Sequence, residues 1–128
     1  MRRPMRLTPA AFEALVARAL DDLPPWVQER MDNVAVMVVG WPTHEQMRSV
    51  GVRRGRLLLG LYEGVPITRR GRGYNLVSPD RIYLFQGPLE LVARGPDDLV
   101  RLVQDTVIHE IAHHFGFSDD DIDALQRE

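Results

Sequence analysis

Apolar residues at helical spacing open the chain. Phe12, Leu15, Val16, Ala19, Leu20 and Leu23 form one stripe behind Thr8-Pro9, where a hydroxyl can cap free amides and proline takes the first helical position. The stripe stops at Pro24-Pro25, and a short second helix is predicted from Pro25 to about Met31, with Trp26 and Val27 as core. The period then changes. Residues 33–40 are a continuous β-branched run, the pattern of a buried strand, closed by Trp41-Pro42. Residues 43–56 are polar with glycines at 51 and 55, which predicts a loop with one helical turn around Glu45 to Ser49.

A second strand is predicted over 57–63, closed by Gly64 and Pro66, and the glycine-rich basic stretch 69–74 reads as a flexible loop. In the third strand, 81–86, Ile82 and Leu84 alternate with Tyr83 and Phe85, and Gly87-Pro88 stops it. A helical turn over 89–94 precedes the last long helix. Pro96-Asp97-Asp98 opens that helix with acids at its positive end, and Leu99, Leu102, Val103, Thr106 and Val107 continue in register. Ser118 can cap a final helix, with Asp121 at the capping-box position and Ile122 and Leu125 as anchors. Helices at both ends of a small mixed sheet make an α/β (α+β) fold, organised as a single compact domain over 1–128.

Composition narrows the class. Hydrophobic content of 45% and charged content of 27% are ordinary for a globular chain, and no window approaches the apolar run of a transmembrane helix. The N-terminal segment Met1-Arg2-Arg3-Pro4-Met5-Arg6 is basic but leads into Glu13, Arg18, Asp21 and Asp22 rather than an apolar signal core, so a cytoplasmic location without membrane contact is expected. There is no cysteine, which excludes disulfides and a thiolate metal site and leaves nitrogen and oxygen donors. All 16 basic side chains are arginine. Eight of them fall between Arg48 and Arg81 against Glu63 and Asp80, while nine acids from Asp97 onward face Arg101 and Arg127. That asymmetry marks either an anionic partner for the middle segment or two solvated faces.

Residues 109–119, His-Glu-Ile-Ala-His-His-Phe-Gly-Phe-Ser-Asp, read H-E-x-x-H-x-x-G-x-x-D. On a helix this is the ligand set and general base of a single-zinc hydrolase. His109 and His113 lie one turn apart and about 40° apart around the axis, so both imidazoles can grip one Zn²⁺ per chain. Glu110 points beside them and can take the proton of a water whose pKa the metal lowers to about 7. Gly116 tolerates a left-handed conformation that ends the helix and turns the chain back, from where Asp119 can reach the metal. His114 is turned about 100° from His113 and reads as a half-buried or supporting histidine.

On these residues the chain resembles a family of small bacterial zincin-like proteins described as minimal Asp-zincin metallopeptidases. The likeness is carried by residues 59–68 (Leu-Gly-Leu-Tyr-Glu-Gly-Val-Pro-Ile-Thr), 79–85 (Pro-Asp-Arg-Ile-Tyr-Leu-Phe) and 106–116, which spans the motif. The resemblance implies a compact zincin-like fold with a C-terminal active-site helix, ligand roles for His109, His113 and Asp119, and the base role for Glu110. The motif is also similar to that of metzincin proteases, whose methionine beneath the metal has no counterpart here, Met47 being the last methionine.

The expected activity is zinc-dependent hydrolysis of peptide bonds in a peptide or protein substrate. In sheets of this kind an edge strand aligns the substrate by backbone pairing, and 81–86 is the expected edge. Tyr74, Arg70 and Arg72 are the candidate donors to the oxyanion. The rival is a metal-stabilised binding module whose arginine-rich middle engages an anionic partner. A nucleic-acid partner is not expected, since the net charge is −2 and no recognition motif is present.

Overall fold

The computed structural model describes residues 5–51, 57–64 and 79–126, the side chains of Asp119 and Gln126 excepted. The elements run α1 (Pro9–Asp21), α2 (Pro25–Arg30), β1 (Val34–Val39), α3 (His44–Ser49), β2 (Gly60–Glu63), β3 (Asp80–Phe85), α4 (Gln86–Val92), α5 (Pro96–His114) and α6 (Asp119–Gln126). The Thr8 hydroxyl accepts from the Ala11 amide at 3.1 Å and caps α1 as expected. The predicted turn around Glu45 becomes α3, because Thr43 and Gln46 form a reciprocal capping box.

The sheet has the order β1-β3-β2, with β1 parallel and β2 antiparallel to β3. The expectation that 81–86 forms the substrate-aligning edge is therefore corrected: β3 occupies the centre and spends its hydrogen bonds on both neighbours. The run 33–40 does not form a fully buried strand either. As an edge strand β1 is half-buried, and Met37 is 42% exposed. Ile82 and Leu84 face the core as their alternation predicts, but Phe85 is fully buried as well, where β3 turns directly into α4. Gly87-Pro88 thus opens a helix rather than merely stopping a strand. Proline is tolerated in a first turn, whose amides have no helical partner to lose.

Helices α1 and α5 pack together on one face of the sheet. Phe12, Val16 and Ala19 of α1 meet Leu99, Val103, Val107 and Ile111 of α5, with Ile82, Leu84, Leu89 and Ile122 in the same core. Burying each large side chain is worth about 1.5–3 kcal/mol, so the Leu99, Val103, Val107, Ile111 stripe fixes the rotation of α5 about its axis. With that stripe turned inward, the face carrying His109, Glu110 and His113 is turned toward the side of β2 that faces away from β3.

Candidate metal centre

His109 is half-buried, and its Nδ1 lies 2.8 Å from the carbonyl oxygen of Asp105, one turn earlier. A carbonyl only accepts, so Nδ1 carries the proton and the Nε2 lone pair is left for a metal. The His113 ring lies one turn on, its centroid 6.0 Å from that of His109 at 73°. Two imidazoles on one helix face, one of them oriented by a backbone carbonyl, are a donor set that fits a divalent zinc ion.

Glu110 stands beside this pair with one carboxylate oxygen accepting the Tyr62 amide at 2.7 Å. That amide is on the outward side of β2: the Leu59 carbonyl accepts from Phe85, and residues of the strand alternate from there, so Tyr62 points away from β3. Burial pushes the Glu110 carboxyl up, against the opposing pull of the Tyr62 amide and of His113 and His109. Tyr62 is further tied by its hydroxyl to Asp80 at 2.7 Å and by stacking on His114, with ring centroids 3.9 Å apart. His114 is thus exposed but engaged, and it supports the strand that touches Glu110.

Beyond His114 the helix ends in a Schellman turn. Gly116 adopts φ +86°, the Phe117 amide bonds the Ala112 carbonyl at 2.8 Å and the Gly116 amide bonds that of His113 at 3.1 Å. Arg30 of α2 holds this turn from outside, its guanidinium 5.2 Å from the Phe117 ring centroid and 5.8 Å from that of Phe115. Ser118 and Asp121 exchange backbone and side-chain hydrogen bonds at 3.0 and 3.1 Å, which commits Asp121 to the cap and holds its carboxyl below the usual range. Asp119 is the first residue of α6, immediately after this cap; its side chain lies outside the described residues.

Among the described residues no group of three His, Cys, Asp or Glu side chains converges on one point, so the described donor pair is His109 and His113. Tyr74, Arg70 and Arg72 lie outside the described residues, as does most of the arginine-rich middle. Sequence reasoning missed Tyr62 as the partner of Glu110. The Asp105 contact was readable, since it sits four residues before His109 on a helix, but no spacing rule brings residue 62 to residue 110.

A hollow of about 300 Å³ opens beside the site, lined by Leu58, Leu59 and Gly60 before and at the start of β2 and by Leu102, Asp105, Thr106, His109 and Glu110 of α5. No helix among the described residues is long and apolar enough to cross a membrane.

A family model described as zincin-like metallopeptidase matches residues 31–128. No curated protein matches the chain. Among solved structures, a conserved hypothetical protein from Thermus thermophilus is similar with a TM-score of 0.53 and 22% identity, over 94% of this chain and 100% of that one. At that identity the likeness speaks for the fold alone.

Proposed function

The chain belongs to the zincin-like metallopeptidase family, and from that premise we propose that it is a zinc peptidase of the Asp-zincin type. In this reading His109, His113 and Asp119 hold one zinc per chain and Glu110 is the general base. The observation that carries it is Glu110 itself: a partly buried carboxyl, raised in pKa by burial, fixed by the Tyr62 amide beside two histidines on one helix face.

Zinc bound there supplies Lewis acidity, polarising a carbonyl and making water acidic near neutral pH. Glu110 takes the proton of the attacking water as its oxygen bonds to the carbonyl carbon. It returns that proton to the amine nitrogen as the C–N bond breaks. The Asp105 carbonyl keeps His109 in the ligating tautomer, and the Tyr62 amide orients Glu110. Tyr74, Arg70 and Arg72 remain the candidates for oxyanion donors. The substrate is an extended peptide or unfolded protein.

The test is metal content together with hydrolysis of an unfolded protein. Wild type is expected to bind about one zinc and to cleave, and Glu110→Gln to keep the zinc while turnover falls by about 10²-fold or more. Equal rates in the two zinc-loaded proteins overturn the peptidase reading and leave the metal-stabilised binding module.

A further inference from the structure

We propose that the hollow where α4 meets the segment before α1 is a docking site for a lysine side chain of a partner protein. It shares no lining residue with the candidate metal centre and does not rest on the peptidase reading. The hollow measures about 350 Å³, and Met5, Leu7, Trp41 and Leu91 give it apolar walls. Trp41 is held in place from α4: the Gly87 amide donates to the Gly40 carbonyl at 2.8 Å, and a Cβ at position 87 would lie 2.2 Å from the indole. A glycine in the first turn of α4 is thus what lets the ring lie against the helix.

Glu90 lines the same hollow and is 9% exposed. Its Oε2 accepts from the Leu7 amide at 2.7 Å and from the Gln86 side-chain amide at 3.2 Å, and Gln86 also donates to the Leu7 carbonyl at 2.8 Å. These bonds fix the carboxylate in position. Among the described residues no hydrogen bond reaches Oε1 and no ion pair neutralises the group. Burying a carboxylate without a counter-charge is costly, and a cation entering by the hollow offsets that cost.

Three observations narrow the cation. With Oε2 doubly engaged, the two-oxygen fork that suits arginine is not free, whereas a single acceptor suits the point charge of an ammonium. Trp41 and Leu91 are 58% and 49% exposed, which offers apolar surface to the methylenes of a long side chain, and the indole adds cation–π attraction for its head. All 16 basic residues of this chain are arginine, so a second copy has no lysine to give and the occupant belongs to a different protein. Exposed Arg6 is also part of the lining and repels a second positive charge, so a lone lysine fits better than a basic run.

Titration of the ¹⁵N-labelled full chain with N-acetyl-lysine methylamide, its neutral norleucine analogue and the arginine analogue tests the site. The reporters are the Leu7 and Gly87 amides and the Trp41 indole N–H, the last identified with Trp41→Phe. The lysine compound should bind about 10-fold more tightly than the norleucine one. Glu90→Gln, whose side-chain oxygen can still accept from Leu7, should bring the two to equality. Norleucine binding as tightly as lysine in wild type, or a lysine preference that survives Glu90→Gln, overturns the proposal. So does arginine binding more tightly than lysine, and so does the absence of shifts at all three reporters. Should Glu90→Gln misfold, the lysine-to-norleucine ratio in wild type decides alone. Every one of these outcomes leaves the peptidase reading untouched, since Glu110 and the two histidines are unaltered throughout.

Discussion

Burial holds the Glu110 carboxyl above its ordinary range, and the sign of that shift sets a stability cost. The folded protein binds this proton more tightly than the unfolded chain does. Stability at this position is therefore greatest in acid and is lost as pH rises from the unfolded value through the folded one. Gln keeps an oxygen that can accept from the Tyr62 amide but carries no charge to desolvate. Zinc-free Glu110→Gln is accordingly expected to melt above zinc-free wild type at about pH 7, with the difference closing as pH falls below the usual glutamate range; indistinguishable melting across the series contradicts the cost. Ligation is argued at the same scale. His109→Ala and His113→Ala should each lose stoichiometric zinc, and Asp119→Ala should weaken binding far more than Asp120→Ala, by chelator competition. Equal losses at Asp119 and Asp120 remove Asp119 from the set. The two histidines and Glu110 were legible because a helix converts a spacing of four into a shared face. Tyr62 was not, because its contact is made through a backbone amide whose direction depends on which neighbour β2 pairs with.

Between elements, β2 approaches α5 closely at Gly60. A methyl added there meets the Thr106 methyl carbon at 2.6 Å and the Tyr83 carbonyl at 3.0 Å. Overpacking of this kind costs about 1–3 kcal/mol. Gly60→Ala should lose stability in that range by urea titration, and Thr106→Ser, which removes the opposing methyl, should recover part of the loss in the double variant; strict additivity would refute the contact. Element boundaries follow a similar division. The caps at Thr8 and Ser118 and the left-handed Gly116 act within a few residues of themselves and were readable from the chain. The position of β1 at an edge and of β3 in the centre was not, since residues 34–39 and 80–85 are both short β-branched or aromatic runs and pairing order is decided by distant partners.

At the scale of the molecule, the donors of the proposed site straddle a turn: His109 and His113 belong to α5 and Asp119 opens α6. An ion bridging the two binds the folded chain and not the unfolded one, so it adds about 2.7 kcal/mol at a free concentration about 100 times its Kd. Zinc should raise the melting temperature of wild type and Glu110→Gln alike and leave His113→Ala unmoved; a rise in His113→Ala places the stabilising ion elsewhere. The mixed α/β class was read correctly from the alternation of periods along the chain, because layers follow from which faces are apolar.

The packing of α1 against α5 also has a temporal side. Phe12 leaves a ribosome long before Val107, its neighbour in the core; at about 5–20 residues per second the interval is about 5–20 s. Through that interval α1 carries an apolar stripe with its principal helical partner not yet made. The β1–β3 ladder likewise joins strands far apart in sequence. Loop closure of this length must precede any reward from pairing, so folding is held back until α5 has been synthesised. The helix that bears the proposed chemistry is therefore also the piece against which the earlier core residues close, and a ribosome stalled before residue 96 carries a chain that lacks Leu99, Val103, Val107 and Ile111 of that core.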